Sequence, residues 1–599
     1  MPSYYSLGPV DYTIFLGFLA LCLGVGIYHA ADEKFRKKSI TRCKTEEYLM
    51  GGRKMPIIPV TLSLMTTFLS GITLLGTPAE IYDHGVLFIL YYLTSPVAFL
   101  ITGFFFLPIL YKLNTTSIYE YLELRFHSVL LRKACAALFI LNTLIYAGIC
   151  IYAPALALNE VMGIDVWFLI LIVGTCSTIY TTIGGLKAVV WADTLQAGIM
   201  YAGLFAIIYK GIYSVGGFNQ MWDTLQVSGR LEAVWKWNVD PAQVPRFFAH
   251  LKMTFFQYMS IWILLISSTF FNLSIYGINQ MAVQRYCSLP TLKDAQKVLF
   301  LIAPLHIILS LLACFMAIVM VAYFYHCNPL ETEEISAYDQ LAVLFAIKVS
   351  DGIPGLVGVF LMCIFAGTLS TVSSGYNSIA AVLYIDFVFP NAKHRLTSSQ
   401  SLYLNKGVVL ISGLLSTGLA FSAGPLGGIV KTAVGLLGAT TGPVLGVFCL
   451  GVFSKKVSTR AVIVSLVLSL GVCMSLWAAS IAENPYKDHH LPSNSSLENC
   501  GGKNFTHLTI PDDYDTHFGN PEASYLSKIS SFSLAAIGVA ATYVFALILS
   551  WIFPVGEETY SSGRKHSLTH GGRMPNPVLK TTFAKTSLVD FYVDEGVEV

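Results

Sequence analysis

Charge is what this sequence has least of. Asp, Glu, Lys and Arg together make up 12% of the 599 residues and leave a formal net charge of +2. No sustained basic face is therefore present for nucleic acid. Also missing is the pattern of a membrane-embedded metalloenzyme, whose hallmark is intramembrane His or paired acids at metal-ligand spacing. Most of the thirteen His lie in loops and tails, including the adjacent His489 and His490, and His306 stands alone at helical depth. Residues Met1 to Val10 lack the basic start and small-residue cleavage site of a secretory signal, so the first apolar run is expected to be kept as a helix.

Apolar surface, by contrast, is abundant. The chain is 55% hydrophobic with a mean hydropathy of +0.64, more than a water-soluble core could hide. A spanning helix takes about 20 mostly apolar residues, and thirteen stretches qualify, at about 10–30, 56–77, 86–110, 134–155, 165–184, 194–215, 252–277, 297–325, 354–384, 405–424, 428–453, 460–482 and 528–553. The expected fold class is an all-α polytopic membrane protein with about 13 transmembrane helices.

Lys and Arg mark cytoplasmic loops. The first loop carries Lys34, Arg36, Lys37, Lys38, Arg42, Lys44, Arg53 and Lys54; with that loop inside, alternation also puts Lys112, Arg125, Arg132, Lys187, Arg285, Lys393 and Lys455 inside. The N-terminus is then extracellular and the tail beyond Phe553 cytoplasmic. Two features agree. Asn494 and Asn504 begin glycosylation sequons in the polar loop 483–527, outside by the charge rule, while those at Asn114 and Asn272 fall in a cytoplasmic loop and a span. Of twelve cysteines, Cys327 and Cys500 alone occupy external loops, where a disulfide can form; two free thiols are the other reading.

Polar groups at mid-membrane need a reason, and three places have them. In the second span, Thr66, Thr67, Ser70, Gly71, Thr73, Gly76, Thr77 and Pro78 interrupt the apolar run. Such a sequence suits either a broken helix whose freed carbonyls bind an ion or a kinked helix packed through small residues. In the ninth span, Thr368, Ser370, Thr371, Ser373, Ser374 and Ser378 gather hydroxyls. Residues 370 and 371 point about 100° apart, so both reach one ion only with carbonyls from Gly367 or a facing helix; the alternative is back-bonding within the helix. Third, a Gly184-Gly185 turn precedes Asp193, expected near the cytoplasmic mouth either as an ion relay or as a solvated helix cap.

Together these segments resemble the sodium:solute symporter family, from Asp11 to about Phe553. The blocks Gly51-Gly-Arg-Lys-Met, Leu75-Gly-Thr-Pro-Ala-Glu-Ile-Tyr, Tyr119-Glu-Tyr-Leu-Glu-Leu-Arg-Phe, Ile151-Tyr-Ala-Pro-Ala-Leu-Ala-Leu-Asn, Gly184-Gly-Leu-Lys-Ala-Val, Tyr276-Gly-Ile-Asn-Gln and Ser336-Ala-Tyr-Asp-Gln resemble the monocarboxylate, iodide and multivitamin branch. The resemblance implies a LeuT-type core of two inverted five-helix repeats, 56–215 and 252–453. Around them stand a peripheral first helix (1–30), peripheral helices over 460–553 and a disordered tail (554–599). It implies one sodium site at Ser370, Thr371, Gly367, Asp193 and Thr67, and a second at Ser70, Thr73 and Tyr146. Substrate would meet Thr73, Thr77, Tyr91, Ser95, Asn272 and Val434. Iodide carriers of this branch have Gln at position 73 and multivitamin carriers Ala; Thr73-Leu-Leu-Gly-Thr-Pro78 is similar to monocarboxylate carriers. Asn272 stands where monocarboxylate and iodide carriers have Trp, and Lys431 where Gln or an apolar residue is usual.

The function implied is sodium-coupled import of a small organic anion, a monocarboxylate first, at the plasma membrane, with Na+ as coupling ion and no other cofactor. An iodide-like or vitamin cargo is the alternative, and a sodium-responsive channel or sensor on the same scaffold is the rival of another class. Lys and Arg within the expected spans stand toward span ends; Lys431 is about one turn from its outer end, where snorkelling to the headgroups is expected. The ending Val597-Glu-Val599 has the form of a strand for a PDZ-type partner.

Overall fold

The computed structural model describes residues 7–35, 44–228, 230–231, 258–392, 396–422, 429–454, 457–485 and 523–553. Asn494, Asn504, Cys500 and Val597–Val599 lie outside them; Cys327 is disulfide-bonded. Among the described residues there is helix and no strand. The helices that carry the argument are α1 (Pro9–Phe35), α2 (Ile57–Phe68), α3 (Gly71–His84), α4 (Val86–Lys112), α5 (Val129–Met162), α6 (Val166–Val215), α7 (Ile263–Gly277), α8 (Gln280–Tyr286), α9 (Leu292–Tyr323), α10 (Leu356–Val388), α11 (Ser398–Ser422), α12 (Ile429–Phe453), α13 (Thr459–Glu483) and α14 (Ser531–Ile552).

Local chemistry sets many of the starts. Ser128, Asp165, Thr291 and Ser458 each cap a helix by accepting a hydrogen bond from a first-turn N–H. At the other end of α12, Arg125 donates to the carbonyls of Gly451 (2.8 Å) and Ser454 (2.5 Å), placing a cation on the negative end of the helix dipole.

Ten described helices are long and apolar enough to cross a membrane, eleven if the bent pair α2–α3 is one span. Each of the thirteen expected stretches overlaps a helix, with three differences. The second is broken, its halves meeting at 54°. The fifth and sixth run together as the 50-residue α6, about 75 Å at 1.5 Å per residue and more than twice the ~30 Å hydrocarbon core. A backbone break at Gly185 (φ 60°, ψ −159°) divides it, and a Cβ there would lie 2.6 Å from the Tyr48 ring. The seventh is the short α7.

Burial sorts centre from periphery. α10 and α12 have 78% and 83% of their most apolar stretch buried against protein, α1 and α11 only 33%. α10 packs against α1, α2, α3, α5, α6 and α11, while α12, α13 and α14 form a second group. Two packed groups leave a seam between α3, α7 and α12, and the broken helix runs along it.

Candidate functional site

Leu69 (φ −93°, ψ 78°) and Ser70 (φ −77°, ψ 173°) interrupt the helical backbone between α2 and α3. A helix ending there leaves its last carbonyls without intrahelical partners. One of them, Thr67 O, receives the hydroxyl of Thr371 at 2.8 Å, and the same hydroxyl lies 3.0 Å from Gly367 O. Glycine at 367 permits this approach, since a Cβ would sit 2.9 Å from Gly71 N and 3.0 Å from Leu69 O. Ser370 Oγ donates to Thr66 Oγ1 (2.9 Å), and Thr67 Oγ1 lies 3.0 Å from Ser374 Oγ. All six hydroxyls of the ninth span are buried, so they face protein and not lipid.

Asp193 stands two turns beyond the break in α6 and is 0% exposed. It does not sit at a solvated mouth, as expected, because α6 resumes directly after Gly185 and carries it inward. Its Oδ2 accepts from Ser63 Oγ (2.5 Å) and Arg285 Nη2 (3.3 Å). Arg285 comes from α8, is 1% exposed, and also donates to Ser63 Oγ (2.8 Å), Met281 O (2.8 Å) and Ser374 Oγ. The loop position expected for Arg285 is thus corrected: α7 ends at Gly277, and α8 turns back into the protein under an Asn279 cap. A lone Arg in the mostly apolar Gln280–Tyr286 was the available signal. Asp193 Oδ1 is sealed in protein with no hydrogen-bond partner. An anionic oxygen left so, beside neutral hydroxyls and freed carbonyls, fits a hard monovalent cation.

On the other side of the break lies a cavity of about 80 Å³, traced by the centre of a water-sized sphere, several times the roughly 10–15 Å³ one water needs. Thr73, Tyr91, Asn272 and Val434 line it, as expected of substrate residues, and so does Tyr146. Thr77 and Ser95 stand behind the wall: Thr77 bonds Tyr92 OH (2.5 Å), and Ser95 Oγ pairs with Tyr92 O (2.8 Å) and His306 Nδ1 (3.2 Å). Ser70 Oγ is 3.4 Å from Tyr146 OH, so two members of the second expected sodium set meet while Thr73 faces the cavity. His306 also lines the wall; standing alone in an apolar run, it gave no sign of a role in the sequence.

A smaller cavity shares Asn142 and Asn279 with the first and extends past Ser274 to Tyr119 and Val444. The opposite end is closed by α3 against α12, where a Cβ on Gly76 would lie 2.1 Å from Val430 Cγ2. Lys431, next along α12, does not extend outward as expected: it is 5% exposed and its Nζ donates to Asn484 Oδ1 at 2.8 Å.

Residues 48–469 match the model of the sodium:solute symporter family. The chain belongs to that family. Among curated relatives of this symporter, sodium-coupled monocarboxylate transporter 2 of Bos taurus is 36% identical over 507 residues, 84% of this chain and 78% of that protein. Sodium-coupled monocarboxylate transporter 1 of Homo sapiens is 36% identical over 495 residues (82% and 77%), and the sodium-dependent multivitamin transporter of Oryctolagus cuniculus 36% over 480 (79% and 70%). A solved Na+-coupled sialic acid symporter, substrate-bound and outward-open, superimposes with a TM-score of 0.71 at 24% identity, over 92% of this chain and 99% of that one. The fold of this family member is accordingly the LeuT type, and Na+ is its coupling ion.

Proposed function

We propose that this symporter imports a small monocarboxylate with sodium by alternating access. The observation that carries the reading is the break at Leu69–Ser70, with an oxygen-lined ion pocket on one side and a small cavity on the other. Ser370, Thr371, Thr67 and Gly367 would hold one sodium beside Asp193, and Ser70 with Tyr146 would contribute to a second. Among the described residues no Lys or Arg lines the cavity, so a carboxylate would draw positive charge from bound sodium and the N-terminal turn of α3 at Ile72 and Thr73. Coupling follows, because an anion facing an empty sodium site in a low dielectric lacks its counter-charge.

Thr73 and the cavity's volume favour a cargo of few heavy atoms over a vitamin. The relatives named for monocarboxylates support the same choice. The second cavity, lying toward the ends of α12 and α5 that border Arg125 and Arg132, is the inward route, so the shut Gly76–Val430 contact is the outer one. By the charge rule the N-terminus is extracellular; the plasma membrane is the location proposed for a carrier of this kind.

Uptake in cells tests this. Ser370→Ala combined with Thr371→Ala is expected to abolish sodium-dependent monocarboxylate uptake at normal surface expression; uptake still driven by sodium would refute the site.

A further inference from the structure

Two side chains on the cavity wall are held in a common way by adjacent residues of α4. Thr94 Oγ1 donates to Tyr91 O (2.9 Å) and Ser95 Oγ to Tyr92 O (2.8 Å). A hydroxyl has one hydrogen, so toward any further partner each of these oxygens acts as an acceptor. Asn272 Nδ2 donates to Thr94 Oγ1 (3.1 Å) and to Ser268 O (2.9 Å), which fixes the amide with its Oδ1 on the other side. His306 Nδ1 lies 3.2 Å from Ser95 Oγ; with the serine hydrogen on Tyr92 O, the ring proton is assigned to Nδ1. In the neutral ring, Nε2 is then a bare lone pair.

The rings of Tyr92, Phe99 and Tyr276 enclose the imidazole at centroid distances of 6.3, 5.8 and 5.8 Å and keep it from turning. Among the described residues neither Asn272 Oδ1 nor His306 Nε2 meets a donor, and neither is sealed within protein. Both residues line the cavity, so both acceptors open onto it.

We propose that Asn272 Oδ1 and His306 Nε2 form a paired acceptor whose Nε2 takes the one hydrogen of a cargo hydroxyl, making this carrier selective for a hydroxyl-bearing monocarboxylate over the unsubstituted acid. The inference rests on the monocarboxylate reading above. The carboxylate lies toward the sodium sites and the start of α3, and the hydroxyl on the adjoining carbon points to the α7–α9 wall. An acid without that hydroxyl leaves Nε2 desolvated and unpaired, which costs more than a lost contact in water. Thr94 and Ser95 are positioning residues: they touch no cargo and fix which atoms face it.

The test compares sodium-driven uptake of lactate and propionate, which differ by one hydroxyl, in cells expressing the full chain, with surface expression measured by biotinylation. For the unaltered protein, Vmax/KM for lactate is expected to exceed that for propionate at least about tenfold, or 1.4 kcal/mol. His306→Phe should bring the ratio close to one. Ser95→Ala, a smaller change that frees Nδ1 and lets the proton move to Nε2, should lower the ratio through the KM for lactate and leave the sodium dependence alone; it decides the matter if His306→Phe fails to reach the surface. Equal sodium-driven uptake of the two acids by the unaltered protein overturns the paired acceptor and leaves the carrier reading standing. An unchanged ratio in Ser95→Ala and His306→Phe at normal surface levels does the same. Absence of sodium-driven uptake of either acid overturns both readings.

Discussion

A guanidinium 1% exposed and a carboxylate 0% exposed, 3.3 Å apart, are costly to keep beneath the membrane surface. The pair persists here because the Arg285 fork is filled by Ser63, Met281 O and Ser374 as well as by Asp193. One carboxylate oxygen is left over, and a sodium ion at Thr67, Ser370 and Thr371 would share it. Asp193→Asn is therefore expected to raise the sodium concentration for half-maximal uptake by roughly tenfold or more, about 1.4 kcal/mol per decade, as read from sodium activation curves. At Gly367 the constraint is steric. The atoms nearest an added Cβ are all backbone, the closest at 2.9 Å, so α3 would have to shift. Gly367→Ala should cost about 1–3 kcal/mol by overpacking and cut sodium-driven uptake more than about tenfold. Gly198→Ala, with nothing within 4 Å of the new methyl, should leave both unchanged.

Among the elements, α10 is held at two levels. Its middle carries the hydroxyls that meet the α2–α3 break, and its end carries Asp386, 0% exposed, which accepts from Arg132 Nε (2.7 Å) and Ser117 Oγ (2.6 Å). Arg132, at the start of α5, also pairs with Glu123 (2.7 Å) and Glu120 (3.3 Å). This cluster joins α10 to α5 and to the segment after α4 that includes the short helix Glu120–Phe126. Arg132→Ala would strand a buried carboxylate, at a cost of about 3–5 kcal/mol. The expected outcome is a lower Tm of the detergent-solubilised protein; the double change Arg132→Met with Asp386→Leu, which removes both charges, should cost less. The break in α6 acts at the same level. Gly185 turns the chain so that the second half of the helix carries Asp193 to Ser63 on α2, and a side chain there would meet Tyr48.

For the whole molecule, coupling is an energy statement. Each net positive charge carried inward gains about 2.3 kcal/mol per 100 mV, roughly a fiftyfold accumulation at 1.4 kcal/mol per decade. Proteoliposomes with an inward sodium gradient are expected to accumulate lactate above the outside concentration and to lose it when a sodium ionophore is added; equilibration without accumulation would mean a channel. The helical class and the hydroxyl-rich ninth span were legible because hydropathy along a chain is a local property, and it singled out Ser370, Thr371, Thr67 and Gly367, which the structure brings together at the break. Resemblance to a family singled out Thr73, Tyr91, Asn272 and Val434, which line the cavity. Arg285 and Asp193 were assigned to loop and mouth, because spacing along a sequence does not reveal that a helix continues through a glycine or that a chain folds back after Asn279.

The sequence alone thus determined that the chain is an all-helical, multi-pass membrane protein and where hydroxyls interrupt its apolar helices, since the cost of exposing apolar residues to water or polar ones to lipid is set residue by residue. Tertiary structure decided which oxygens meet across helices and that Ser95 stands against Nδ1 of His306. Those outcomes depend on partners 211 residues apart, as with Ser95 and His306, and hydrogen bonds are made only when packing has brought both ends within about 3 Å.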